Sequence, residues 1–255
     1  MAEKGKERIA KLMARAGLCS RRDAERWIAA GRVSVNGDTL DTPAFTVGAQ
    51  DRVLVDGKPL PKAEATRLFL FHKPDGLITS QKDERGRPTV FDGLPPELPR
   101  LVSVGRLDLR TEGLLLLTND GGLSRYLELP TTGWVRTYRV LVSGAVAQEK
   151  LDRLKQGLTY QGVRYGAAEA VLETPPRTKG ARQSATDRQT EQWIRISLRE
   201  GKNREVRNLM EALGLRVTRL IRVSYGPFQL TGLPKGALKE VPAGLMKKKI
   251  SGYFK

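Results

Sequence analysis

The sequence predicts an α+β protein of two modules, and three observations carry that expectation. Apolar residues recur at helical spacing near the N-terminus: Ile9, Leu12, Met13 and Ala16, then Ala24, Trp27 and Ile28. Later runs such as Val33–Val35, Arg52–Val55 and Trp134–Val142 alternate with the period of a strand instead. Between the two kinds of pattern, Pro59 to Thr66 shows neither period and is rich in proline and small polar residues, so it reads as a linker. With 255 residues, 39% of them hydrophobic, the chain can fill one large core or two smaller ones. The expected boundaries are a first module over 6–60, a linker over 61–66, a second module over 67–246 and a basic tail over 247–255.

Charge narrows the class of partner. Lysine and arginine number 45 against 28 acidic residues, a net charge of +17, which suits a polyanion: nucleic acid or an anionic membrane surface. No apolar run approaches the roughly 18 residues of a membrane-spanning helix, and Met1 to Lys6 lacks the apolar core of a signal peptide. Cys19 is the single cysteine and His72 the single histidine, so neither an internal disulfide nor a Cys/His zinc site is expected. The expectation is a cytoplasmic protein that binds nucleic acid and has no membrane partner.

In the first module, Gly17 closes the first helix and Ser20 caps the second, with Asp23 three residues on as its capping-box acid. Ala24, Trp27 and Ile28 form the buried stripe and Gly31 ends the helix, while Arg21, Arg22 and Arg26 fall on the other faces and Arg32 follows. Asn36-Gly37 is a strong hairpin signal after the Val33–Val35 strand. Two helices presenting arginines beside a small sheet would bind phosphates without reading sequence; on charge alone a merely solvated face is an equal alternative. The segment LCSRRDAERWIAAGRVSVNG, with the valine-rich strand after it, resembles the small S-four-type domain named after a ribosomal small-subunit protein. That resemblance implies binding to structured RNA, with Arg21, Arg22, Arg26 and Arg32 as the RNA-binding residues.

The second module opens with a strand over Leu68–Phe71 and a turn at His72-Lys73-Pro74-Asp75-Gly76, with His72 read as structural or RNA-facing. A basic loop follows at Lys82–Arg87. Two apolar segments, Leu101–Val104 and Leu114–Leu117, then flank a polar loop. This strand–loop–strand pattern presents Asp108, set between Arg106 and Arg110, where a sheet meets solvent. A short helix around Leu123 and Leu127, the Trp134–Val142 strand, a helix over Ala147–Leu154 and a strand over Glu169–Leu172 come next. Thr174–Gln189, rich in Pro, Gly, Ser, Thr and Arg, is expected to be a flexible basic loop. After a strand over Ile194–Leu198, Asn203 is the expected cap of a helix that buries Val206, Leu209, Met210 and Leu213. Arg204, Arg207, Asn208 and Glu211 occupy its other face, where Arg207 could simply pair with Glu211. Thr218–Gly226 is the last core strand, with Arg219 and Arg222 facing RNA or solvent, and Met246–Lys255 reads as a mobile tail.

Spacing alone leaves Asp108 an ordinary turn residue, but the run GRLDLRTEGLLLLTNDG resembles the catalytic signature of the pseudouridine synthases that modify ribosomal RNA at single sites. The resemblance makes Asp108 the nucleophile and gives Arg106 the space vacated when the target uridine leaves its helix. Arg136-Thr137-Tyr138-Arg139-Val140 is similar to the family's second motif, whose tyrosine lies against the target base, here Tyr138. EGKNREVRNLM is similar to the third, which implies an ion pair between Arg207 and Asp108 and substrate contacts for Lys202 and Arg204. RLIRVSYG supplies Leu220 as the apolar residue on the other side of the base. Leu129-Pro130-Thr131-Thr132-Gly133 departs from the His-Pro wording of many relatives.

For the fold, the resemblance implies a mixed, largely antiparallel sheet flanked by helices, with the active cleft across its middle. For chemistry it implies isomerisation of uridine to pseudouridine, which conserves atoms and needs no cofactor and no metal. The implied partner is ribosomal RNA, free or in an assembling particle, bound by a monomer; KNREVRNLM and RLIRVSYG point to the large subunit. The alternatives are 16S ribosomal RNA or transfer RNA as target, and a non-catalytic RNA-binding or ribosome-assembly protein.

Overall fold

Local signals place the first elements where the sequence puts them. The computed structural model describes residues 6–144, 146–173 and 191–254. It divides into two compact units, one comprising Met1–Arg67, Pro95–Val102 and Thr118–Gly121, the other Leu68–Leu94, Ser103–Leu117 and Gly122–Lys255.

In the first unit, helices span Ile9–Arg15 and Arg21–Ala29. The second is closed by the expected capping box: the Asp23 amide donates to Ser20 Oγ at 3.0 Å and the Ser20 amide donates back to Asp23 Oδ2 at 3.1 Å. A four-stranded antiparallel sheet runs Asp38–Thr39, Val33–Val35, Val53–Val55, Lys58–Pro59. Ile9, Met13, Ala24, Ile28, Val33 and Val35 meet in its core. Trp27 packs half-buried against that core, as expected, and the Arg32 guanidinium lies 4.6 Å from its ring centroid. The 61–66 segment is irregular but held: Arg15 Nη2 donates to the Glu64 carbonyl, Asn119 Nδ2 to the Ala65 carbonyl, and Thr66 Oγ1 to Asp120.

The second unit is built on a nine-stranded sheet. Its main path runs Ala168–Leu172, Glu191–Leu198, Arg136–Ser143, Arg216–Tyr225, Glu112–Thr118, Leu68–Lys73, Leu238–Glu240. Val102–Val104 and Phe228–Gln229 pair beside it. The Arg216–Tyr225 strand runs antiparallel to Arg136–Ser143 but parallel to Glu112–Thr118, so the sheet is mixed and largely antiparallel, as the family resemblance implies. Gly113 makes the parallel junction sterically feasible. At φ +108° it faces the backbone of Arg222, and a Cβ there would overlap that backbone outright. The helix over Glu205–Ala212 packs Val206, Leu209 and Met210 against Val140, Ile194 and Leu220.

Several expectations need correction. The C-terminal segment is a docked helix, Ala243–Lys249, whose Met246 and the following Ile250 are both buried; the expected boundary at 246/247 falls inside it. An apolar pair at helical spacing anchors it despite the adjoining lysines. Arg222 does not face solvent: it is 2% exposed, because it shares the inward face of its strand with Leu220. Arg219 does keep a 41% exposed side chain, as expected, while donating two hydrogen bonds to Glu112. The cap of the Glu205–Ala212 helix is Arg204, in the left-handed region at φ +50°, rather than Asn203. A hairpin of Leu158–Tyr160 with Val163–Tyr165 was not expected at all. The segment Thr174–Gln189 lies outside the described residues.

Candidate active site

Strand exit and strand entry put Asp108 at the mouth of a cleft of about 900 Å³ in the second unit. The Val102–Val104 strand ends at Gly105, whose amide donates to Glu128 Oε1 at 2.8 Å. The chain then loops through Asp108 and re-enters the sheet at Glu112.

Every carbonyl of this loop from Leu107 to Thr111 is tied down. Thr79 Oγ1 donates to the Leu107 carbonyl at 2.9 Å, and the Thr111 amide to that of Asp108 at 3.0 Å. The Gly76 amide and Lys73 Nζ share the Leu109 carbonyl. Arg207 Nη2 donates to the Arg110 carbonyl at 2.7 Å, and Lys73 Nζ to that of Thr111 at 2.9 Å. Five successive bound carbonyls fix the backbone from which Asp108 projects. The half-buried Asp108 carboxylate itself has no hydrogen-bond partner among the described residues.

Lys73 is fully buried. Desolvation pushes its ammonium down to about 8, against the opposing pull of Asp75, Asp108 and Glu112. Its three carbonyl acceptors, those of Pro74, Leu109 and Thr111, compensate for that burial.

The facing wall of the cleft comes from adjacent strands. Tyr138 sits in register with Arg222, and Val140 with Leu220, so Tyr138, Leu220 and Arg222 share one face of the sheet and all line the cleft. Arg106 lines it too, exposed and with no ion-pair partner among the described residues. Behind this wall, Arg136 Nη2 donates to the Tyr225 hydroxyl at 2.9 Å, which donates to the Leu127 carbonyl. The Arg136 and Arg222 guanidinium groups both lie about 5 Å from the Tyr225 ring centroid, at 4.8 and 5.1 Å.

The third motif frames the remaining side. Lys202 and Arg204 line the cleft and are exposed, but the Lys202 ammonium is already held by Glu200 at 2.8 Å and by the Arg164 carbonyl at 2.6 Å. Glu205 is buried in the cleft wall and accepts the Lys202 amide at 2.9 Å; burial pushes its carboxyl up to about 7. Arg207 is half-buried near Asp108 without touching its carboxylate. The direct ion pair implied by the resemblance is replaced by the bond to the Arg110 carbonyl. Desolvation and Arg204 lower the Arg207 pKa, whereas Asp108 and Asp75 act to raise it. His72 stays out of the site, its Nδ1 bonded to the Leu233 carbonyl at 2.7 Å.

The four arginines of the first unit divide into two pairs. Arg21 and Arg22 are exposed, with no ion-pair partner among the described residues. Arg26 is paired with Asp23, and Arg32 with Asp56. Motif reading missed Lys73, Thr79, Arg136, Arg222 and Glu205. Arg136, Glu205 and Arg222 lie inside the quoted motifs without a role assigned to them, Lys73 ends an apolar strand just before a Pro-Asp-Gly turn, and Thr79 carried no such signal.

A family model described as RNA pseudouridylate synthase matches residues 67–212, and one described as S4 domain matches residues 7–53. A Rickettsia felis protein named uncharacterized RNA pseudouridine synthase is 40% identical over 242 residues, spanning 95% of this chain and 100% of that protein. Ribosomal large subunit pseudouridine synthase B of Salmonella typhi is 41% identical over 244 residues, spanning 92% of this chain and 79% of the relative. A solved structure described as a pseudouridylate synthase aligns with a TM-score of 0.64 at 25% identity, covering 95% of this chain and 99% of its own.

Proposed function

The chain belongs to the RNA pseudouridylate synthases, and from that premise we propose that it isomerises a uridine of large-subunit ribosomal RNA, with Asp108 as nucleophile. It is thus an isomerase acting on RNA, and its S4 domain is an RNA-binding module. The large-subunit target is supported by the named Salmonella relative, and a cytoplasmic monomer is part of the same proposal. No helix among the described residues is long and apolar enough to cross a membrane.

The observation that carries the proposal is a carboxylate with no hydrogen-bond partner among the described residues, held on a loop whose carbonyls are all bonded and lining the same open cleft as Tyr138 and Leu220. In the reaction the bond from the ribose to nitrogen 1 breaks, the uracil turns, and the ribose bonds to carbon 5. Nitrogen 1 ends with the proton that carbon 5 loses. Extruding the base from a stem costs on the order of a few kcal/mol. Arg106, exposed and with no ion-pair partner among the described residues, fills the vacated space, while the Tyr138 ring and Leu220 enclose the base. Arg207 steadies the Asp108 loop and supplies positive charge near its carboxylate. Lys202 and Arg204 contact the substrate at the rim. Arg21, Arg22, Arg26 and Arg32 provide a salt-dependent grip on phosphates, with Arg21 and Arg22 the readier pair.

The test is a nucleotide-resolution pseudouridine map of ribosomal RNA from cells lacking this protein, complemented with wild type or with Asp108→Asn. Loss of one large-subunit site, restored by wild type and not by the variant, is the expected result. Turnover by Asp108→Asn would sink the nucleophile assignment. A lost site in 16S or transfer RNA would move the target and leave the chemistry intact.

A further inference from the structure

A single hydroxyl satisfies both backbone groups of the residue that precedes Asp108. Thr79 Oγ1 donates to the Leu107 carbonyl at 2.9 Å and accepts the Leu107 amide at 3.2 Å. Both residues are buried, Thr79 at 7% exposure and Leu107 at 5%. We propose that Thr79 is a positioning residue for the isomerisation, setting the aim of Asp108 through the Leu107 backbone. The inference rests on the reading of Asp108 as nucleophile.

Three features support it. First, the Asp108 carboxylate accepts no hydrogen bond among the described residues, and Lys73 and Arg207 act on it only as nearby charges, so its direction is set chiefly by its backbone. The carbonyls after it are held from several sides, but on its N-terminal side Thr79 alone, among the described residues, bonds the Leu107 backbone. Second, Thr79 is itself fixed. The Ile78 amide donates to the Pro88 carbonyl and the Val90 amide to the Ile78 carbonyl, both at 3.0 Å, forming a parallel bridge between Ile78 and Thr89. The Thr89 amide is in turn anchored on Asp92 Oδ2 at 2.8 Å. Third, a hydroxyl has one proton to give, and here Leu107 takes it. Thr79 lines the cleft, yet it has no donor left for a substrate, which separates a positioning role from a binding one.

The chemistry demands a hydroxyl at this place. Valine matches threonine in shape but leaves the amide and carbonyl of Leu107 unpaired in a buried site, whereas serine keeps both bonds. A displacement of the reacting carboxylate by about 1 Å costs on the order of 10²-fold in rate.

The experiment compares full-length wild type, Thr79→Val, Thr79→Ser and Asp108→Asn on the RNA in which wild type forms pseudouridine. Thr79→Val is expected to lower kcat roughly 30- to 100-fold while KM and RNA affinity change less than about 2-fold. Thr79→Ser is expected to stay within about 3-fold of wild type. Wild-type kcat in Thr79→Val, an equal loss in Thr79→Ser, or a loss confined to KM would overturn the inference. Amide hydrogen exchange on the wild-type protein gives a readout that does not depend on the valine variant folding. The Leu107 amide should be protected, and fast exchange there would refute the clamp. If Asp108→Asn turns over normally, the parent reading has failed; if Asp108→Asn is dead and Thr79→Val is normal, this inference alone has failed.

Discussion

Replacing Glu112 with glutamine removes one negative charge at the point where the Asp108 loop rejoins the sheet. The Glu112 side chain is 8% exposed. It accepts from Arg219 at 2.7 and 3.0 Å and from Lys235 at 2.5 Å. The Arg219 hydrogen bonds, aided by Lys235 and opposed by burial, hold its carboxyl at about 2 instead of the ordinary 4.5. A folded-state pKa below the unfolded one means that the stabilisation is complete above pH 4.5 and is lost as pH falls toward 2. That shift corresponds to about 3 kcal/mol at face value. Arg219 and Lys235 are 41% and 54% exposed, however, so solvent screening reduces it to roughly 1–2 kcal/mol. Urea unfolding of wild type and Glu112→Gln from pH 7 to pH 3 measures the difference directly. The variant should be less stable by that amount at pH 7, and the two curves should draw together as pH falls. A gap that stays constant with pH, or no gap at pH 7, would refute the argument that this carboxylate is held charged by its two partners.

Two further outcomes follow from the same site. Glu205 is raised to about 7 mainly by burial, so the folded state keeps a proton that the unfolded chain has lost, and stability declines as pH rises from 4.5 through 7. Glu205→Gln, which can still accept the Lys202 amide, should therefore be more stable than wild type at pH 8 by roughly 1–3 kcal/mol and close to it at pH 4.5. Melting temperatures at the two pH values test this, and a pH-independent difference would show that the carboxyl does not titrate in that range. Gly113→Ala should cost about 4 kcal/mol or prevent folding, because the added Cβ overlaps the Arg222 backbone at a left-handed φ. A soluble variant with a wild-type unfolding midpoint would show that the two strands can separate without penalty.

What the sequence reveals and what it hides divide along sequence separation. The Ser20–Asp23 capping box and the Asn36-Gly37 turn are decided within a few residues, and both are legible. The long alternation through Tyr138 marks a sheet strand, and contiguous motifs mark Asp108, Tyr138 and Leu220, which the fold brings to one cleft. The Leu158–Tyr165 hairpin carried a usable signal in Gln161-Gly162, where both residues have positive φ, but its strands are too short for their period to stand out. Arg222 misleads because an arginine in a strand reads as a surface residue. Its burial depends on Gly113, which admits the neighbouring strand closely enough for Nε to reach the Leu114 carbonyl at 2.7 Å.

The grip on Asp108 is harder to read for the same physical reason. Thr79 lies 28 positions from Leu107, Lys73 lies 38 from Thr111, and Arg207 lies 97 from Arg110. Each of the three binds a backbone carbonyl, and a carbonyl has no sequence identity to match. A motif can therefore display the group that reacts while concealing the groups that aim it. If aim matters as much as identity here, losing the Thr79 hydroxyl and losing the Asp108 carboxylate should both lower kcat at unchanged RNA affinity, the first partly and the second completely. Only the first loss should be recovered by serine, because serine restores the two bonds to Leu107 without altering any group that faces the base.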